Sequence, residues 1–91
     1  MQKLSTGEIQ QKLKETNGWQ LDGIALRKEW QFKNFAEALQ FINKVGAIAE
    51  KHDHHPELFN VYNRVTLRYY THDTGGLTQR DFKVVTEIDK L

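Results

Sequence analysis

The stretch from Phe35 to Ala49 carries an apolar face that needs a broad surface to lie on. Phe35, Leu39, Ile42, Gly46 and Ala49 recur at helical spacing, and Ala38, Phe41, Val45 and Ile48 widen the stripe. So wide a face predicts a helix packed across a sheet, entered at Asn34 as N-cap with Glu37 three residues on. Two more helix starts are legible. Ser5 with Glu8 forms a capping box, with Leu4 and Ile9 as its hydrophobic staple, and opens a helix to about Lys14 that Asn17–Gly18 ends. Thr78 with Asp81 repeats the device, with Leu77 and Phe82 as staple. Phe82, Val85 and Ile88 continue at helical spacing, and Lys90 suits the negative end of the dipole.

The strands that the central helix requires are found between these helices. Trp19 to Leu21 and Ile24 to Phe32 flank Asp22–Gly23, a type I′ turn signal, in a register that sets Leu21 opposite Ile24 and Trp19 opposite Leu26. Leu58 to Tyr62 and Val65 to Thr71 flank Asn63–Arg64, a weaker signal. Val65, Leu67 and Tyr69 alternate with Thr66, Arg68 and Tyr70, as in a half-buried strand. The order α-β-β-α-β-β-α predicts one α+β domain over residues 1–91, a four-stranded antiparallel sheet with three helices packed on one face.

Composition narrows the function. The 91 residues carry a formal net charge of +1, from 13 Lys+Arg against 12 Asp+Glu, without blocks of like charge. A nucleic-acid binder of this size shows a basic excess or stripe, so no direct nucleic-acid partner is expected. With 0 cysteines, disulfide and thiolate chemistry are excluded. Met1 to Gly7 has no apolar segment of the secretory kind, and polar residues interrupt Phe35 to Ala49, so a cytoplasmic protein without a membrane partner is expected. The thin core of so short a chain favours self-association.

The chemistry concentrates in Glu50-Lys51-His52-Asp53-His54-His55-Pro56-Glu57, which holds the only proline and three of the 4 histidines. The fourth, His72, ends the following hairpin, which returns it towards His54, His55 and Pro56. Imidazoles titrate near neutrality, so a pair of them can give one proton and take another, which eliminating water requires. Glu50, Asp53, Asp73 and Asp81 can orient the rings. Plainer readings stand beside this one. His52 suits the helix dipole, Asp81 is explained by capping, and loop histidines are common on surfaces. Trp19, Trp30, Phe41 and Phe82 read as core or interface. A three-histidine zinc site is the rival chemical reading, but the spacing lacks the His-x-x-x-His that sets two ligands on one helix face, so no metal is expected.

Glu50, His54–His55–Pro56, Tyr62, His72 and Asp81, at this spacing, resemble the signature of the pterin-4a-carbinolamine dehydratases. The likeness is close from Ala49 to Asp81, through Phe59-Asn60-Val61-Tyr62-Asn63-Arg64-Val65, Thr71-His72-Asp73 and Gly76-Leu77-Thr78, and looser before it. The resemblance implies the α+β fold, a 4a-hydroxytetrahydropterin substrate left by aromatic amino acid hydroxylases, and loss of water without cofactor or metal. It makes His54, His55 and His72 the active-site histidines, with His54 and His72 as the acid/base pair and His55 positioning the substrate. Asp81 is the associated carboxylate, and Glu50, Asp53 and Pro56 complete the expected site. Animal members often carry Trp where this chain has Leu58, so the flat stacking surface beside the pterin is expected to be either missing or supplied by Phe59. Members are dimers or tetramers, so a homodimer or homotetramer is expected. Animal members also stabilise a transcription-factor dimer, which makes a non-enzymatic dimerisation module the alternative.

Overall fold

The computed structural model describes residues 2–91; Met1, the first residue of the expected domain, lies outside them. The elements are α1 (Thr6–Leu13), β1 (Gln20–Asp22), β2 (Ala25–Gln31), α2 (Phe35–His52), β3 (Glu57–Val61), β4 (Arg64–Tyr69) and α3 (Gln79–Ile88), with a 3-10 turn over His72–Thr74. The strands form one antiparallel sheet in the order β1-β2-β4-β3. The fold is the expected α+β arrangement.

All three helix starts are built as the side chains require. Ser5 and Thr78 each form a capping box, with Glu8 and Asp81 respectively, and Asn34 accepts from the backbone of Glu37. The helices cover the face of the sheet that carries Leu26, Val65, Leu67 and Tyr69, none of which is exposed. Strand alternation sends Arg27, Glu29, Arg64, Thr66 and Arg68 to the other face. On α2 the row seated on the sheet is Ala38, Phe41, Val45, Ile48 and Ala49. Phe35 and Leu39, read from sequence as part of the main stripe, are instead exposed.

Both turns lie one residue earlier or later than the sequence signals placed them. In the first hairpin Leu21 pairs with Leu26 and Asp22 with Ala25, so the turn residues are Gly23 and Ile24 rather than Asp22 and Gly23. Only Gly23 of these takes a positive φ, +62°, as the first position of a type II′ turn requires. Asp22 is thereby left in the strand, where Arg68 Nε donates to its carboxylate. Moving the turn by one residue changes each partner by two, so every side chain keeps its face. In the second hairpin Val61 pairs with Arg64, and the turn is Tyr62–Asn63 rather than Asn63–Arg64. Tyr62 adopts φ +51°, uncommon for a bulky residue. Asn60 Nδ2 stabilises the turn by donating to the carbonyls of Tyr62 and Arg64, while Asn63 exchanges two hydrogen bonds with the backbone of Phe32.

Candidate active site

The end of α2 determines where the histidines go. Asp53 takes the left-handed conformation, φ 48° and ψ 45°. Its N–H donates to Glu50 O, and the N–H of His54 donates to Ala49 O at 3.0 Å. This pair of bonds is a Schellman turn, with aspartate where glycine is commoner. Pro56 then keeps His55 extended and starts the run into β3. His52, His54 and His55 diverge as a result, each to its own carboxylate. His52 Nε2 lies 2.8 Å from Glu87, His54 Nε2 lies 2.6 Å from Asp81, and His55 Nε2 meets Glu50. Among the described residues no three His, Cys, Asp or Glu side chains converge as a metal-ligand set.

The His54–Asp81 pair is the sealed part of the site. His54 is 7% exposed and Asp81 0%. The other oxygen of Asp81 accepts from the Thr71 hydroxyl at 2.8 Å and from the Thr78 N–H at 2.9 Å. With the Thr71 proton on Asp81, the Thr78 hydroxyl donates to Thr71 at 2.9 Å. A buried carboxylate held by three donors has its hydrogen-bonding capacity met without water. Capping, the reading from sequence, therefore covers only half of what Asp81 does. The carboxylate accepts from Nε2–H, which assigns the lone pair of the neutral ring to Nδ1. Nδ1 has no hydrogen-bond partner among the described residues.

His72 follows Thr71 directly, so the Thr71–Asp81–His54 chain of hydrogen bonds ties the two histidines to one end of the sheet. His72 is exposed, as is His55. Asp53 and Asp73 engage no histidine ring; Asp53 serves as the cap of α2. Phe59 pairs with Thr66 along the strand and lines a groove with Val61 and Tyr62, away from the histidines.

Several residues of the site carry no signal in the sequence. Arg80 Nη2 donates to the carbonyls of His52 and Asp53 and so pins the loop that leads to His54. Tyr69, fully buried, donates its hydroxyl to the carbonyl of His54 at 3.1 Å, and its ring centroid lies 5.2 Å from the imidazole. Burial, with a smaller contribution from the charge of Asp81, pushes the Tyr69 phenol well above its ordinary value. Thr71 reads from the sequence as a strand end and as part of the Thr71-His72-Asp73 likeness, neither of which gives its bond to Asp81. Only Thr78, as an N-cap, had a recognisable role. No helix among the described residues is long and apolar enough to cross a membrane.

Comparison with known proteins agrees with this geometry. The family model described as "Pterin 4 alpha carbinolamine dehydratase" matches residues 2–91. A protein of Sulfolobus acidocaldarius, provisionally named for the same activity, is 43% identical over 89 residues, covering 98% of each chain. One from Sinorhizobium fredii, named in the same way, is 44% identical over 91 residues, covering 98% of this chain and 87% of its own. The crystal structure of a "transcriptional coactivator/pterin dehydratase" from Brucella melitensis superposes with a TM-score of 0.92 at 37% identity, covering 98% of this chain and 97% of its own. With the family model spanning nearly the whole chain and the fold shared throughout, the chain belongs to the pterin-4a-carbinolamine dehydratase family.

Proposed function

We propose that the chain dehydrates a 4a-hydroxytetrahydropterin to the quinonoid dihydropterin by histidine acid/base catalysis, and so returns the tetrahydropterin used by aromatic amino acid hydroxylases. The observation that carries this reading is the buried His54–Asp81 pair, which leaves Nδ1 of His54 without a partner among the described residues. Asp81 keeps the proton on Nε2 and stabilises the imidazolium that forms when Nδ1 accepts another. His54 is thus the base in this reading, and His72, exposed and without a partner among the described residues, is the acid. His72 gives a proton to the hydroxyl, the C–O bond breaks, and its electron pair leaves with water. His54 takes the proton from the atom at the other end of the new double bond. His55, paired with Glu50 at the surface, positions the substrate. No cofactor or metal enters this scheme.

The test is stopped-flow dehydration of freshly generated 4a-hydroxypterin. His54→Ala and His72→Ala should each slow turnover by roughly 10²–10⁴-fold, towards the spontaneous rate. His52→Ala should matter far less, because that ring is occupied by Glu87. A folded double variant with the parent's turnover would overturn the catalytic reading.

The name of the Brucella structure favours a second reading, a protein-binding module of the same fold. That reading takes over if the histidine variants leave dehydration unchanged. Either role is compatible with a homodimer or homotetramer. Exposed Phe35 and Leu39 on α2, and Phe59 and Val61 on the edge strand β3, support self-association. Sedimentation equilibrium should give a dimer or tetramer at micromolar concentration, and a clean monomer would refute it.

A further inference from the structure

The chain leaves β4 through two tyrosines in succession. Tyr69 turns to His54 and Tyr70 to His72, as neighbours in extended chain diverge. Tyr69 is fully buried and can touch no ligand. Tyr70 differs in every respect that matters to one. It is half-buried, packs against the core, and its ring centroid lies 6.3 Å from that of His72 with 33° between the planes. Its hydroxyl has no hydrogen-bond partner among the described residues. The other large rings are elsewhere. Trp19, Trp30, Phe32 and Phe41 pack on one another, Phe82 is buried in the core, Phe35 opens α2 at the end opposite His52, and Phe59 and Tyr62 line a groove down the sheet. Tyr70 is therefore the accessible aromatic surface beside the site histidines among the described residues.

We infer that Tyr70 is the surface on which the substrate's flat pyrimidine ring stacks, beside His72; the inference rests on the pterin reading. The carbon bearing the hydroxyl is tetrahedral, but the pyrimidine half of the pterin stays flat and presents a π-face. A tyrosine ring packed on one side against a core offers such a face at little cost in rotamer freedom. Tyr70 takes the place for which Phe59 was the candidate, and it acts as a substrate-binding residue with no part in proton transfer.

The experiment uses 7,8-dihydropterin, a stable pterin with no 4a-hydroxyl to lose, titrated calorimetrically into parent, Tyr70→Phe, Tyr70→Leu and Tyr70→Ala proteins whose folding circular dichroism confirms. Tyr70→Phe keeps the ring and should bind within about twofold of the parent, while Tyr70→Ala and Tyr70→Leu should each weaken binding roughly tenfold or more. Leucine retains bulk and apolarity but not flatness, so binding by Tyr70→Leu equal to that of Tyr70→Phe would overturn stacking. Binding by Tyr70→Ala equal to the parent's would overturn any contact. If the parent binds and dehydrates, His54→Ala is slow, and Tyr70→Leu binds normally, the Tyr70 inference fails alone. A parent that neither binds the pterin nor accelerates dehydration would sink the reaction reading, and this inference with it.

Discussion

His54 and His55 are neighbours with the same side chain, and each directs Nε2 at a carboxylate, yet their surroundings are opposite. The first pair is sealed: Asp81 is wholly buried and takes two further donors, Thr71 and Thr78. In the second, the side chains of His55 and Glu50 are 54% and 77% exposed. Water and salt screen the exposed pair, and little holds it in one geometry. The buried pair is screened by neither, and its three donors leave the carboxylate one orientation. The difference teaches that contact alone does not rank the histidines. What ranks these two is whether the partner carboxylate is buried with its other oxygen satisfied, and of Asp81 and Glu50 only Asp81 is.

The comparison breaks most visibly in stability. Asp81→Ala strands the His54 ring, the Thr71 hydroxyl and the Thr78 N–H at once, and removes the box that starts α3. Breaking a buried, fully bonded pair from one side costs about 3–5 kcal/mol. Urea unfolding should show that loss for Asp81→Ala, while Glu50→Ala should leave the midpoint near the parent's. Equal midpoints for the two variants would mean that burial does not separate the pairs.

How far this contrast was legible in the sequence depends on the range of the interactions behind it. The helix starts at Ser5, Asn34 and Thr78 were legible because a cap needs only residues three apart. The hairpins were legible as apolar alternation, but each turn moved by one residue. Asp22 is drawn to Arg68, and Asn63 to Phe32, by bonds that no local pattern encodes. The histidines were legible as a cluster, and His72 as their neighbour through hairpin topology. Their division into a sealed and an open member was not. It depends on Asp53 adopting a left-handed cap without glycine, on Arg80 holding the carbonyls of His52 and Asp53, and on Thr71 reaching across to Asp81. Arginine and threonine are ordinary in such positions, and only the fold gives them these partners.

Tyr69 sharpens the comparison from the sealed side, where a smaller effect carries a distinct signature. Its hydroxyl bonds the carbonyl of His54, and burial together with the charge of Asp81 raises its phenol above the ordinary value of 10.0. Between that value and the folded-state one, the unfolded chain has lost the phenolic proton while the folded chain retains it. The stabilisation from this group is therefore complete below about pH 10 and declines as pH rises further, by up to ~1.4 kcal/mol per pH unit. Tyr69→Phe keeps the ring against His54 and removes only the hydroxyl, so near neutrality it should cost about 1 kcal/mol, the usual net worth of one hydrogen bond. Above about pH 10 the parent alone carries the phenolic penalty, so the gap between the two proteins should close and then reverse. Urea unfolding of both proteins from about pH 7 to pH 11 measures this directly, because lysine and arginine titrations are common to both and cancel in the difference. A gap that stays constant through that range would mean that the phenol ionises as freely in the folded chain as in the unfolded one, and that the pocket around His54 is wetter than its hydrogen bonds imply.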